Sequence, residues 1–408
     1  MPAANENRAA LGDRIYRPNR VEVDLGAIMG NTRIVKGLLG LETTLFAAVK
    51  GNGYGLGLPA VAEAMLAGGA DAFTLADPAD AVSIREAGIG VPILLYGGIL
   101  PTPEIVDVLL RHDLWCTVTD TDLAQKYSAA NSSSEPLRVF AKIDIGLERL
   151  GVYPDQGLAF IQAVTQLPGI ELAGIYSHVH GNETPGYQEW QLDRFDRLLA
   201  ELDRSGLTIG LRMSESSATL GSGSSAAPGS RPGPGPGPGP GSGPGRLTNA
   251  ADPGHLLYGI VPGGRSSRPA GLRPAFRSLK SRLIQVKDLD RADFLAQSPV
   301  PVGDVKRIGV MPIGRADGLQ HVTSGRVRVR GRLVPIVGRL SLEHARLDLT
   351  SVPGCEVGDE VEIVGSQPGD EIGAEAVAAA NGLDRVGLMV AVGPSIPRVY
   401  LPSDPADG

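Results

Sequence analysis

The sequence predicts an α/β protein, an N-terminal (β/α)8 (TIM) barrel followed by a C-terminal mostly-β domain. Three observations carry that expectation. At 408 residues the chain exceeds one ordinary domain and predicts two. From residue 20 to about 262, short apolar runs alternate with segments of helical period. From about residue 275 the pattern turns to short strands punctuated by Gly and Asp.

Taken in order, residues 1–17 read as a polar tail without the apolar core of a secretory signal. The barrel is expected over 18–272. Its eight strands are read at "RVEVDL", "TLFAAVK", "DAFTLA", "PILLYGG", "LWCTVT", "RVFAKIDI", "LAGIYSHV" and "IGLRMSES". Amphipathic segments such as "LPAVAEAMLAGGA", "PTPEIVDVLLRHD" and "YQEWQLDRFDRLLAELDRSG" supply helices between them. An open doubly wound sheet is the rival, but it would usually place a Gly-rich phosphate loop after the first strand, and "VDLGAIMGN" matches poorly. Residues 221–246 alternate Pro and Gly, which can form neither helix nor ladder. They read as a disordered insertion within a barrel loop, because "DPGHLLYG" beyond them still belongs to the barrel. Residues 273–408 form the β domain, with "RVRVRGRLVPIVGRLSLEHARLDL" and "VGDEVEIVG" as strands and "EIGAEAVAAANG" as its one helix.

Composition narrows the function classes. A formal net charge of −7 disfavours a nucleic-acid surface. No apolar run approaches the ~18 residues of a membrane span. Cys116 and Cys355 are far apart and lack metal spacing, and the six histidines are scattered apart from His178 and His180, so no metal site is expected. The expected compartment is the cytoplasm.

In a barrel of this kind the active site lies at the C-terminal ends of the strands. Unusual polar residues collect there: Lys50, then Lys142 and Asp144, then His178, then Glu215 and Ser216. A lysine ending an apolar strand must be paired or have a depressed pKa, and desolvation is a common way to make an amine nucleophilic. A snorkelling surface lysine is the plain alternative. The small residues of "SSAT" and "DPGHLLYG" could cradle an anion with backbone N–H groups. Lysine plus phosphate cradle points to pyridoxal 5'-phosphate, with a sugar-phosphate enzyme using lysine as the alternative.

With these motifs in hand, the chain resembles the alanine racemase family (fold type III) from about residue 18 to 401, apart from the Pro-Gly insertion. "AAVKGNGYGLG" resembles the family's cofactor motif, implying that Lys50 carries the Schiff base and Tyr54 bonds the phosphate. "KIDIGLERLG" implies a structural, often carbamylated lysine at Lys142 and an arginine near the cofactor ring oxygen at Arg149. The resemblance further implies His178 near the ring, Ser216, Tyr400 and the amides of Gly254 and His255 at the phosphate, and a head-to-tail homodimer sharing its active sites.

The departures fall on catalytic positions. The family's second base, a tyrosine before "(G/A)DG", is here Arg315 in "MPIGRADGLQ". Arginine is always charged and a very poor base, but it is well shaped to hold a carboxylate. The family's arginine at the pyridine nitrogen is here Asp252, which would keep that nitrogen protonated. Glu215 replaces asparagine, and Leu342 and Glu343 replace the methionine and aspartate of a substrate loop. The resulting expectation is one-base carbanion chemistry at the α-carbon of a small amino acid, of aldol or hydroxymethyl-transfer, decarboxylation or transamination type. Lys50, Asp252, Arg315 and His178 would act in it. A racemase using His255 or His180 as substitute base, and a non-catalytic PLP-binding protein, are the alternatives; the retained β domain disfavours the second.

Overall fold

The computed structural model describes residues 17–180, 184–215, 217–220, 247–261, 269–289, 305–366 and 369–402. They form two compact units. One is Leu25–Ala275; the other joins Phe276–Pro402 to the N-terminal residues through Asp24.

The first unit is a closed parallel barrel. Its strands are β2 (Thr44–Ala48), β3 (Ala72–Leu75), β4 (Ile93–Leu95), β5 (Leu114–Val118), β6 (Leu137–Lys142), β7 (Ile170–Tyr176), β8 (Leu211–Glu215) and β9 (Ala250–Ala251). β9 closes the ring by pairing with β2, Thr44 opposite Ala250 and Leu45 opposite Ala251. Phe46, Leu94, Phe140, Tyr176 and Met213 fill the interior, with the Phe46 and Phe140 rings edge to face at 5.9 Å. Phe140 fits because β7 carries Gly174 opposite it; a methyl group there would stand 2.4 Å from the Phe140 ring. Local chemistry starts the outer helices. Thr102 and Asp120 accept from the N–H groups of Ile105 (3.3 Å) and Leu123 (2.7 Å), capping helices Pro103–Arg111 and Thr121–Ala130.

The second unit is a nine-stranded sheet. Beside β1 (Arg20–Val23) it holds β10 (Phe276–Arg282), β11 (Gln285–Asp288), β12 (Arg307–Met311), β13 (Arg326–Val329), β14 (Arg332–Val337), β15 (Ala345–Asp348), β16 (Glu360–Val364) and β17 (Arg398–Tyr400). Their order is β11-β12-β15-β14-β13-β16-β10-β1-β17. The expected helix forms at Ala374–Ala380, and a second, unforeseen one follows at Arg385–Ala391.

This corrects the strand reading. "RVEVDL" is not the first barrel strand: β1 pairs with β10 and β17 in the sheet. Its burial alternates, Val21 and Val23 inside and Arg20 and Glu22 half out. That suits a sheet with one buried face rather than a barrel strand buried on both. Arg20 and Glu22 use their outward positions in an ion-pair network with Lys280 and Glu360. The true closing strand, β9, has only two residues, both alanine, and carries no strand signature. The Pro-Gly insertion at 221–246 and Ser216 lie outside the described residues.

Candidate active site

The barrel mouth gathers its polar groups at the ends of β2, β4, β6, β7 and β9. Lys50 follows β2 and opens a turn wound in the left-handed sense: Gly51, Asn52, Gly53 and Tyr54 have φ of 63°, 56°, 61° and 53°. Glycine adopts that region freely and asparagine tolerates it, whereas Tyr54 is strained there. Two contacts hold the turn. Asn52 Oδ1 accepts from Leu58 N at 2.9 Å, and the buried Tyr54 ring packs 4.4 Å from that of Tyr258. Tyr258 in turn donates to the carbonyl of Ala48 at 3.1 Å. A methyl group at 254 would stand 2.3 Å from Tyr54 Oη, so glycine leaves the phenol its place. Ser217 Oγ accepts from the N–H groups of Gly254 (3.0 Å) and Leu256 (3.3 Å), fixing the segment after β9.

The electrostatics centre on buried groups of opposite sign. Lys50 remains solvent-accessible, yet the protein crowded around it lowers its pKa, Asp252 opposing and Arg149 adding to the effect. Lys142 is buried with its Nζ 4.3 Å above the Tyr176 ring. Burial lowers its pKa to about 7 against the pull of Asp252. Asp252, 4% exposed, has its own pKa raised to about 6 by burial, with Tyr96 and the two lysines opposing. Its Oδ2 accepts from Tyr96 Oη at 2.8 Å, and its buried Oδ1 has no hydrogen-bond partner among the described residues. Asp144 accepts from four consecutive N–H groups, Gly146 to Arg149, at 2.8 to 3.1 Å. That nest pins the loop bearing Arg149 and, against the cost of burial, lowers the carboxyl's pKa. His178 is pushed down to about 3, first by burial and then by Lys142, Lys50, Arg149 and His180.

The barrel unit therefore brings together Lys50, Tyr54, Lys142, Arg149, His178, Asp252, Gly254 and His255. Glu215 ends β8, but its side chain is not among those described. Arg315, Leu342, Glu343 and Tyr400 belong to the sheet unit. There Arg315–Asp317 and Leu319–His321 form successive 3-10 turns. The backbone N–H groups of Arg315 and Ala316 donate to Ser341 and Leu342, laying the turn against the β14–β15 loop. A cleft of 370 Å³ opens beside Ala316, Leu342, Glu343 and His344. Asp317 is buried and ion-paired to Arg17 at 3.1 Å. Tyr96 and Thr74 were missed. Both sit where a polar group at the mouth end of an apolar strand should have drawn notice, but a tyrosine or threonine there reads as core.

A parallel barrel with two crowded lysines and a buried carboxylate at its mouth, joined in one chain to a β unit, defines an amine-centred enzyme of the barrel class. Residues 23–234 match the family described as "Alanine racemase, N-terminal domain", and residues 276–400 match "Alanine racemase, C-terminal domain". The chain is 32% identical over 392 residues to alanine racemase 1 of Caldanaerobacter subterraneus subsp. tengcongensis, covering 94% of this chain and 95% of that one. It is 28% identical over 404 residues to alanine racemase of Halothermothrix orenii, covering 96% and 98%. Among solved structures, alanine racemase from E. faecalis superposes with a TM-score of 0.79 at 29% identity, covering 95% of this chain and 99% of that one. Alanine racemase from Bacillus anthracis, solved with bound L-Ala-P, gives 0.80 at 26% identity, covering 95% and 96%. The chain belongs to the alanine racemase family, whose members are pyridoxal 5'-phosphate enzymes.

Proposed function

We propose that this chain works at the α-carbon of a small amino acid from one face, by aldol or hydroxymethyl-transfer, decarboxylation or transamination chemistry rather than two-base racemisation. Asp252 carries the reading: a buried carboxylate with one oxygen held by Tyr96 and the other without a hydrogen-bond partner among the described residues. An unpaired buried acceptor is costly, and a protonated ring nitrogen would satisfy it.

The barrel mouth fits pyridoxal phosphate in three further respects. Lys50 offers an amine of lowered pKa. Gly254 leaves the space beside Tyr54 Oη that a side chain would fill. Arg149 is held by the Asp144 nest. Lys50, Tyr54, Arg149, Asp252 and the amides of Gly254 and His255 would hold the cofactor, together with His178, Glu215, Ser216 and Tyr400. Bound pyridoxal phosphate supplies an electron sink for the charge left when a bond to the α-carbon breaks. Lys50 takes or returns the proton at that carbon. His178, kept neutral well below its ordinary range, is a poor base. Arg315, exposed and making no side-chain bond to any described residue, would grip a substrate carboxylate in the site of a partner chain, with Leu342 and Glu343 beside it. The proposed assembly is accordingly a head-to-tail homodimer. Among the described residues no helix is long and apolar enough to cross a membrane, and the proposed location is the cytoplasm.

The relatives' names favour a second reading, a racemase; His255 or His180 would then stand in for the tyrosine. Incubation with L- and D-amino acids in D₂O, followed by chiral analysis, separates the two. Deuterium entering one enantiomer only, or release of aldehyde, CO₂ or amine, supports the one-face reading. Equal label in both enantiomers refutes it.

A further inference from the structure

Tyr96 follows β4 at the barrel mouth, its ring 5.4 Å from Lys50 Nζ and 6.1 Å from the Tyr176 ring. Its hydroxyl lies 2.8 Å from Asp252 Oδ2 and 2.8 Å from the hydroxyl of Thr74, which is fully buried on β3. A phenol has one proton, so it cannot donate to both. An ionised carboxylate only accepts, whereas a threonine hydroxyl can rotate to donate. The bonds therefore run in one direction, from Thr74 to Tyr96 to Asp252. β3 also accepts at Thr74 O from the N–H of Val49 (2.9 Å), the residue before Lys50, so both ends of the array are tied to the strands that frame the lysine.

We propose that Tyr96, backed by Thr74, is a positioning residue that aims Asp252: it fixes Oδ2 and leaves Oδ1 to accept the ring-nitrogen proton of the bound cofactor. This rests on the reading of Asp252 given above. A buried carboxylate with one fixed oxygen cannot turn away to another donor, and the phenol's hydrogen bond also favours its charged form. Burial and the neighbouring carboxylate keep the phenol protonated, so Tyr96 is a permanent donor and not a base.

The test is affinity of the apo-protein for two ligands, pyridoxal phosphate and its analogue with C–H in place of the ring nitrogen. Both carry the same phosphate and aldehyde, so a general loosening of the site weakens both and leaves their ratio unchanged. The wild type should prefer pyridoxal phosphate by about tenfold or more, the strength of one charge-assisted hydrogen bond. Asp252→Asn should collapse that preference. Tyr96→Phe should reduce it by about three- to tenfold, and Thr74→Val by less but in the same direction. Adding Thr74→Val to Tyr96→Phe should change nothing more. If Asp252→Asn collapses the ratio while Tyr96→Phe and Thr74→Val keep it, the positioning role is overturned and the Asp252 reading stands. If Asp252→Asn keeps the wild-type ratio, the Asp252 reading fails and the inference with it.

Discussion

His178→Gln should change how the barrel responds to acid. The folded protein holds His178 at a pKa of about 3, below its ordinary 6.5, so between those values the folded state binds fewer protons than the unfolded one. Stability from this group is therefore full above pH 6.5 and is lost as pH falls toward 3. The shift sets a ceiling of about 5 kcal/mol, and because the ring is partly exposed we take about 3 kcal/mol. Asp252 acts in the opposite sense. Its pKa is raised from 3.8 to about 6, so the folded state binds more protons across that window, and stability rises by about 3 kcal/mol as pH falls through it. The two nearly cancel down to about pH 4. Below that, His178 and the lowered Asp144 both lose stability. The assay is urea unfolding of the apo-protein from pH 7 to 3.5, read by tryptophan fluorescence. Both tryptophans, Trp115 and Trp190, lie in the barrel unit, so the signal reports that unit alone. Subtracting the wild type cancels Asp252 and Asp144. The variant should then gain about 2 kcal/mol relative to wild type as pH falls from 7 to 4. A difference flat to within about 0.5 kcal/mol would refute the account of a neutral, cation-surrounded His178.

Asn52→Ala should destabilise the barrel by about 2 kcal/mol, losing the bond to Leu58 N and forcing alanine into the left-handed region, whereas Asn52→Gly should cost about 1 kcal/mol; urea unfolding by fluorescence checks the ranking. Gly254→Ala drives a methyl group against Tyr54 Oη, on a ring packed 4.4 Å from that of Tyr258. It should lower barrel stability by about 1–3 kcal/mol and weaken pyridoxal phosphate binding about tenfold or more, seen in a melting curve and a cofactor titration. Asp317→Asn removes the buried partner of Arg17; since Arg17 is itself 42% exposed, the cost should be about 1–2 kcal/mol. It should appear as faster amide exchange in the sheet unit with the tryptophan transition unmoved.

The barrel was legible because parallel strands buried on both faces leave continuous apolar runs, such as "AFTL" with all four residues buried. The same rule, applied more strictly, excludes "RVEVDL": charges at alternate positions describe a strand with one wet face. β9 was not legible, since two alanines fill a gap between β8 and β2 that only the closed ring defines. Lysines and histidines at strand ends stood out because a charge there is expensive. Tyr96 and Thr74 did not, because their polar atoms are a small part of side chains that otherwise pack as core. The ADG turn divided in the same way. Gly318 is required by its φ of 85° and by the Ala391 carbonyl, 2.1 Å from where a methyl group would stand. What Asp317 does depends on Arg17, 300 residues away in sequence, and no local pattern records such a pair.

Asp252 and Arg315 were each noticed as exchanges at single positions, but the structure gives them unequal weight. Arg315 stands exposed on a turn, where a guanidinium costs little and its function depends on what reaches it. Asp252 is buried, its pKa is raised, and one of its oxygens goes unpaired among the described residues. That cost needs an offset, and the described surroundings supply only part of it: Tyr96 at one oxygen and two lysines acting through space. Placing at each position the residue that the family resemblance implies should therefore have different effects. Arg315→Tyr leaves the barrel unit's stability unchanged and tests the second base directly through gained racemisation. Asp252→Arg would place a third cation beside Lys50 and Lys142, in the ground already occupied by Tyr96. It should destabilise the barrel unless Tyr96 is replaced as well, because the tyrosine and the aspartate are paired and act as one unit.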